Sequence, residues 1–250
     1  MIRIRFAAFC LTSIALVVSG CRPQPVTYSP AYREYAYVTN GGSDSVTVVD
    51  LLTYRSVHTI PVGKNPTGIA ANPAKNEVYA VNTGSDNISV IDAETNLVVA
   101  TVGVHDRPFF IDVAADGKRA YVANSGSGNL SVLDLAKHSV IATIPVGATP
   151  GLARVSPDGK LVVVSLRGEA AAAILDAQKL AVRTKLPLCA NPEEIVILPD
   201  SSKAFIACTA SNQVAAVDLK TDKLQAWLKK GARPTQTVAQ LIRKAATAAP

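Results

Sequence analysis

Residues that commonly build active sites are scarce in this sequence. Aromatic residues make up 5% and charged residues 18% of its 250 positions, with only three histidines and four cysteines. There is no CxxC or CxxCH motif, which argues against a redox dithiol and a covalently attached haem. There is also no GxSxG, phosphate-binding loop, zinc motif or EF-hand loop. We therefore expect no metal ion and no cofactor.

Small and β-branched residues are abundant instead. Apolar residues make up 48% of the chain, and the many Val, Ala, Ser, Thr and Asn residues favour short strands joined by polar turns over a helical bundle. The formal net charge is +6. Basic residues gather near the C-terminus without interleaved aromatic residues, so we interpret them as a solvated edge and expect no specific nucleic-acid partner.

The first 20 residues are predicted to be an export signal. An uncharged apolar run at residues 6–18 follows two arginines and is too short for a spanning helix. It ends in Val18-Ser19-Gly20-Cys21, which resembles the lipobox of bacterial lipoproteins. The resemblance implies cleavage before Cys21, lipid on that residue as a membrane anchor, and, because Arg22 follows it, an outer-membrane location facing the periplasm. The alternative is an ordinary signal peptide with a chance cysteine.

The rest of the chain is predicted to have three parts. Residues 21–33 are proline-containing and form a lipidated tether. Residues 34–240 form one repeat domain, and residues 241–250 form a flexible basic tail.

A 42-residue repeat organises that domain. It places equivalent residues in five copies without insertion or deletion, as shown by Tyr37, Tyr79, Tyr121, Val163 and Phe205, and by Asp50, Asp92, Asp134, Asp176 and Asp218. A period of this length is typical of solenoids and propellers. The second copy predicts strands at residues 68–72, 77–82, 88–92 and 97–102, and four short antiparallel strands form one propeller blade.

The middle strands are close to continuous apolar runs, as at residues 46–49 and 88–91. Such strands are expected where a sheet is covered on both faces, as a propeller blade is. The alternative is a β-solenoid, whose rungs are usually shorter. The sequence therefore predicts an all-β protein, a β-propeller of four-stranded antiparallel blades.

The repeat signature resembles a known family. Tyr37-Val38-Thr39-Asn40 matches the YVTN family of β-propeller repeats, and residues 79–82 and 121–124 are close variants. The resemblance covers residues 36–238 and implies the propeller fold. Leu166 and Cys208 stand where the motif has Asn.

The ends of the repeat region predict the number of blades. The chain enters the repeat at the second-strand position, and residues 234–238 form a spare first strand at the far end. If this strand completes the first blade, five blades close into a ring without exposed edges. An open or truncated seven-bladed arrangement is the alternative.

Cys189 and Cys208 are the two cysteines of the domain. They are predicted at the same end of one hairpin, so an exported protein could join them in a disulfide. The alternative is two buried free thiols.

The candidate ligand site is the connection that departs most from the repeat. It spans residues 105–110 and includes His105, Arg107, Phe109 and Phe110. Departures from a repeat consensus are the places where a propeller can carry its individual function. His58, His105 and His138 occupy three different repeat positions, so no metal site is predicted.

Three charged residues of the innermost strands complete the candidate set. Asp112 and Arg154 share a repeat position that is predicted to point into the central channel, and they either pair with each other or bind a charged ligand. Glu193 lies at the channel mouth. Adjacent Glu194 is expected on the opposite face of the strand, so the two do not form an acid and base pair.

These observations favour a membrane-anchored, non-catalytic scaffold that binds an envelope protein or a small ligand. One alternative is an accessory or catalytic propeller of a periplasmic redox, lactone or cofactor pathway, because YVTN-like propellers resemble lactonase and quinoprotein-associated propellers and some related propellers handle tetrapyrroles. Another is surface adhesion or polymer binding. Apart from the recurring turn aspartate, no His, Asp or Glu cluster shares one repeat position, which argues against catalysis.

Overall fold

The computed structural model describes residues 34–229, which form nineteen β-strands and one short 3-10 turn at Arg167–Glu169. The predicted export signal, Cys21, the tether, the closing strand at 234–238 and the basic tail lie outside the described residues. No helix within residues 34–229 is long and apolar enough to cross a membrane.

The strands form five antiparallel sheets, which we call blades 1 to 5 in chain order. Blade 1 contains β1 Tyr35–Asn40, β2 Ser45–Asp50 and β3 Arg55–Pro61. Blade 2 contains β4 Pro66–Ala71, β5 Glu77–Asn82, β6 Asn87–Asp92 and β7 Leu97–Gly103. Blade 3 contains β8 Pro108–Val113, β9 Arg119–Asn124, β10 Asn129–Asp134 and β11 Ser139–Pro145.

The last two blades repeat the same plan. Blade 4 contains β12 Pro150–Val155, β13 Leu161–Leu166, β14 Ala171–Asp176 and β15 Ala181–Pro187. Blade 5 contains β16 Pro192–Ile197, β17 Lys203–Cys208, β18 Gln213–Asp218 and β19 Lys223–Lys229. The predicted five-bladed β-propeller is confirmed, with each strand of blade 2 within two residues of its predicted bounds. Closure of the ring by residues 234–238 stays a prediction.

Neighbouring blades meet most extensively through their innermost strands, in the order β1, β4, β8, β12 and β16. The middle strands are covered on both faces, as predicted: Val90 and Val132 are fully buried, and Ile174 is 1% exposed. Gly68 permits the closest backbone approach, because a Cβ at this position would lie 2.9 Å from the carbonyl oxygen of Phe109 on the next blade. The core is therefore a series of interfaces between blades.

The recurring aspartate explains the turn between the third and fourth strands of every blade. In each copy its Oδ1 accepts backbone N–H groups two and three residues further on, from Leu52 and Thr53 in blade 1 to Lys220 and Thr221 in blade 5. These bonds are the main reason that the pKa values of Asp92, Asp134, Asp176 and Asp218 lie below their ordinary value.

The asparagine of the repeat signature joins the second and third strands. Asn82 Nδ2 donates to Ser89 Oγ at 2.9 Å, and Asn124 repeats this bond with Ser131 at 2.8 Å. In blade 4 the pair is replaced by Leu166 with Ala173, and in blade 5 by Cys208 with Ala215. Both members change together, because a buried hydroxyl left without its partner is costly.

Candidate functional site

A pocket of about 520 Å³ opens where the inner ends of four blades converge. We call it the mouth pocket; its lining residues are Asn65, Thr67, Thr83, Arg107, Phe109, Ser125, Thr149, Arg167, Gly168 and Asn191. Most of them lie just before an innermost strand, near its beginning, or just after a second strand. The propeller thus brings residues from blades 2 to 5 to one site.

Four of these residues share one repeat position and one unusual backbone conformation. They have φ between 49° and 54°, in the left-handed region, and they are Asn65, Arg107, Thr149 and Asn191. Their carbonyl oxygens make the same bond in each blade, accepting the backbone N–H of Thr83, Ser125, Arg167 and Thr209 respectively. The backbone of the pocket is therefore repeated, and only its side chains differ.

Three of the four hydroxyl groups of the lining hold this backbone. Thr67 Oγ1 donates to the carbonyl oxygen of Phe109 at 2.9 Å, and Ser125 Oγ donates to that of Arg107 at 2.8 Å. Thr83 Oγ1 donates to the carbonyl oxygen of Pro108 at 2.5 Å. These hydroxyls join blade 2 to blade 3 and fix the connection that leads into β8.

Blades 3 and 4 meet at the pocket through an aromatic ring and a guanidinium group. Arg167 lies over the ring of Phe109, with Cζ 4.6 Å from the ring centroid. Phe109 is the extra residue of a β-bulge, because Pro108 pairs with Asn124 while Phe110 already pairs with Ala123. A bulge redirects side chains, so two successive residues can both meet partners from blade 4.

The second partner is Arg154, whose Cζ lies 4.6 Å from the ring centroid of Phe110. Arg154 also pairs with Asp112 at 3.5 Å and with Glu194 at 3.1 Å. Asp112 further accepts the backbone N–H of Val155 at 2.8 Å. Burial raises the pKa of Asp112, although this hydrogen bond and Arg154 oppose the shift. These charged groups pair with one another. Pairing was one of the two roles predicted for Asp112 and Arg154, and binding of a charged ligand was the other.

The remaining candidate residues are not among the lining residues of the mouth pocket. His105 is exposed, and its Nε2 is 2.9 Å from Thr143 Oγ1 on the outermost strand β11. Glu193 accepts a hydrogen bond from Asn191 Nδ2 at 2.9 Å. Of the predicted ligand-binding residues, only Arg107 and Phe109 line the pocket.

Sequence reasoning did not select Arg167, although a signal was present. Its repeat position holds Gly41, Thr83, Ser125 and Thr209 in the other copies, so Arg167 is the one charged residue there. The same rule of departure from the repeat that selected Arg107 would have selected Arg167.

The two cysteines of the domain form a disulfide in the structure, with their Cα atoms 5.6 Å apart. Cys208 ends β17 and occupies the repeat position of the signature asparagine. Within residues 34–229, no group of three His, Cys, Asp or Glu side chains converges in a way that could hold a metal ion.

The fold and the pocket define a β-propeller with a small-ligand-sized site at the inner ends of its blades. The chain belongs to the YNCE-like β-propeller family, whose model matches residues 18–154. This agrees with the resemblance to YVTN repeats. No curated protein sequence matches the chain.

Solved structures share the fold. Hydrazine synthase from Kuenenia stuttgartiensis aligns with a TM-score of 0.69 and 25% identity, over 76% of this chain and 61% of that one. The dihydro-heme d1 dehydrogenase NirN in complex with DHE aligns at 0.66 and 20% identity, over 79% and 44%. A functionally unknown protein from Desulfotomaculum acetoxidans DSM 771 aligns at 0.62 and 18% identity, over 74% and 64%. The chain therefore spans less than two thirds of the length of each.

Proposed function

We propose that the protein is a non-catalytic scaffold of the bacterial cell envelope that binds a small ligand in the mouth pocket. The pocket itself is the observation that carries this proposal. Its volume of about 520 Å³ lies within the range of small-molecule sites. Four blades contribute to it, and its side chains differ most from the repeat where blade 3 meets blade 4.

The lining supports binding rather than catalysis. It contains no Asp, Glu, His, Cys, Lys or Tyr side chain. Three of its hydroxyl groups donate to backbone carbonyls, as described above, and no neighbouring base in the lining could activate them as nucleophiles. Aromatic, amide and guanidinium groups remain, and these are groups that orient a ligand.

The location in the proposal comes from the sequence. Lipid on Cys21 would anchor the protein in the outer membrane, and the tether at residues 22–33 would give the propeller reach into the periplasm. Several acyl chains on one residue make such attachment stable, whereas a single chain does not.

The test is to identify what copurifies with the full-length protein. The wild type is expressed with its own leader, extracted from the envelope in detergent, purified and denatured, and the released small molecules are analysed by mass spectrometry. Ser125→Trp places a large side chain in the pocket. Ala115→Trp, in the exposed turn at the opposite end of blade 3, is the matched control.

We expect one small molecule to be enriched with the wild type and with Ala115→Trp, and to be lost from Ser125→Trp. Equal recovery from both tryptophan variants would contradict the proposal, as would the absence of any enriched molecule. A ligand that is released in chemically altered form would instead favour the enzymatic alternative.

A further inference from the structure

We propose that the ligand of the mouth pocket carries a carboxylate or phosphate group and that Arg107 and Arg167 bind this group. This inference rests on the proposed function, since it names the chemistry of the ligand at the same site. It is carried by the charge of the lining, by the unused donors of Arg167 and by the conformation of Arg107.

The lining has positive charge without a compensating carboxylate. It contains two arginines and no acidic residue. Among residues 34–229, neither Arg107 nor Arg167 forms an ion pair. The nearby carboxylates have other partners. Asp86 accepts the backbone N–H of Arg107 at 2.9 Å, Glu169 pairs with Lys185 at 3.2 Å, and Glu193 accepts from Asn191 Nδ2 at 2.9 Å. An anion entering the pocket therefore meets two arginines that no described carboxylate pairs with.

Arg167 and Arg154 form a natural comparison within blade 4. Each lies over one phenylalanine of blade 3 at the same distance of 4.6 Å. Arg154 uses its N–H groups on Asp112 and Glu194. In contrast, Arg167 has no carboxylate partner, and its Nε is buried without a hydrogen-bond partner in the described part of the chain. Both arginines therefore lie over a phenylalanine ring, but only Arg154 is paired with carboxylates.

The contact with Phe109 holds the guanidinium group of Arg167 in place for binding an anion. Cζ of Arg167 lies over the ring of Phe109, 4.6 Å from its centroid, and this cation–π contact gives the guanidinium group no oxygen acceptor for its N–H donors. A planar fork of donors matches two oxygens of a carboxylate or phosphate group. Phe109 is thus a positioning residue, which limits the freedom that Arg167 must lose on binding.

Gly151 provides the room for this arrangement. A Cβ at this position would lie 2.9 Å from Nε and 3.3 Å from Cζ of Arg167. The same repeat position holds Thr67, Phe109 and Glu193 in other blades. Glycine, the smallest residue, therefore occupies the position of blade 4 against which Arg167 packs. Phe109, at the equivalent position of blade 3, provides the ring over which Arg167 lies.

Arg107 occupies a backbone conformation that arginine does not favour. Its φ is 51°, whereas the equivalent positions of blades 2 and 5 hold asparagine, which tolerates the left-handed region better. Because the backbone hydrogen bonds are the same in these blades, asparagine would fit at position 107. The arginine side chain adds charge at the pocket in exchange for a conformational cost.

The test compares three probes that share one ring and differ in head group: benzoate, phenyl phosphate and benzamide. Their dissociation constants are measured by ligand-observed NMR on the full-length, detergent-extracted protein. The variants are Arg167→Gln and Arg107→Asn. Tyr54→Asn is the matched control, because Tyr54 also has a left-handed φ, of 56°, at a turn position that holds Asn96 in blade 2. Tyr54 is exposed, carries no charge and lies outside the pocket lining.

We expect benzoate or phenyl phosphate to bind about tenfold more tightly than benzamide, with an affinity that falls as NaCl is raised. Each arginine variant should weaken binding of the anion by about fivefold or more, while Tyr54→Asn should bind it like the wild type. The tighter of the two anions identifies the head group as carboxylate or phosphate.

Other outcomes separate the two proposals. If benzamide binds as tightly as benzoate and Ser125→Trp abolishes the binding of both, the pocket is a ligand site but the inference that its ligand is an anion is wrong. If none of the probes binds, or if the arginine variants bind the anions like the wild type, the inference is overturned. The copurification experiment then decides the proposed function independently.

Discussion

Arg167 lies over the ring of Phe109, 4.6 Å from its centroid, and so joins a turn of blade 4 to a bulge of blade 3. Arg154 of the innermost strand β12 makes the same contact with Phe110, the next residue of β8, but there Asp112 and Glu194 pair with the guanidinium group. One end of the interface is closed by ion pairs, and the other is open to a ligand.

The role of Phe109 can be tested apart from that of the arginine. Phe109→Leu should weaken benzoate binding about threefold, because an exposed cation–π contact contributes about 0.5 to 1 kcal/mol to holding Arg167 in place. Phe110→Leu is the control, since its ring supports Arg154, which lies outside the pocket lining. Ligand-observed NMR measures both. A larger loss of affinity in Phe110→Leu would contradict the assignment of Phe109.

Arg107→Asn should stabilise the protein while it weakens anion binding. Asparagine relieves part of the cost of the left-handed conformation, and we expect the free energy of unfolding to rise by about 0.5 to 1 kcal/mol. Urea unfolding followed by circular dichroism measures the change. Tyr54→Asn, which makes the same change of backbone preference outside the pocket, should give a gain of similar size without loss of binding. A loss of stability in both variants would show that the left-handed φ does not control stability at these positions.

The buried Asp112 should make stability depend on pH. Its folded pKa is raised above its ordinary value of 3.8, so the folded state binds the proton more tightly than the unfolded state does. The contribution of this carboxyl to the free energy of unfolding therefore falls as pH rises from the unfolded to the folded pKa. The free energy of unfolding of Asp112→Asn minus that of the wild type should therefore rise with pH through this window and then become constant.

Unfolding by urea at a series of pH values tests this dependence. Glu34→Gln removes an exposed carboxylate at the beginning of the domain and serves as the control. A difference for Asp112→Asn that falls as pH rises through the window would show that its pKa shift has the opposite sign.

The disulfide should contribute measurably to stability. It closes a loop with a sequence separation of 19 residues, and removal of such a bridge typically costs about 2 to 4 kcal/mol. Reduction of the wild type should lower the free energy of unfolding by this amount. The double variant Cys189→Ala/Cys208→Ala should not respond to reductant. Mass mapping that finds both thiols alkylated before reduction would contradict the bridge.

The proposed membrane anchor is tested by Cys21→Ser. If this thiol carries the lipid, palmitate labelling should be lost from the variant and the protein should leave the membrane fraction. Cys10→Ser, which changes a cysteine within the predicted signal, is the control and should keep both the label and the location. A Cys21→Ser protein that still sediments with membranes would refute lipid attachment as the anchor.

Much of the fold was predictable because its causes are local. The recurring aspartate bonds its own turn in all five copies, and the signature asparagine bonds a serine or threonine seven residues away in the first three. These contacts lie within one repeat, so the sequence of that repeat is enough to predict them. The chemistry of the site was only partly predictable. Arg107 and Phe109 stood out as departures from the repeat, and the shared repeat position of Asp112 and Arg154 suggested their pairing. The contact between Arg167 and Phe109 joins two blades, and neither repeat by itself indicates it.

The sequence by itself determined the 42-residue repeat, the four-stranded plan of the blades and the turns between strands, because these depend on contacts within one repeat. Only the tertiary structure decided that Arg154 is satisfied while Arg167 is not. These two residues meet Phe110 and Phe109 only when blades 3 and 4 pack. The bulge in β8, the space beside Gly151 and the reach of Glu194 then set which guanidinium group is left to bind a ligand.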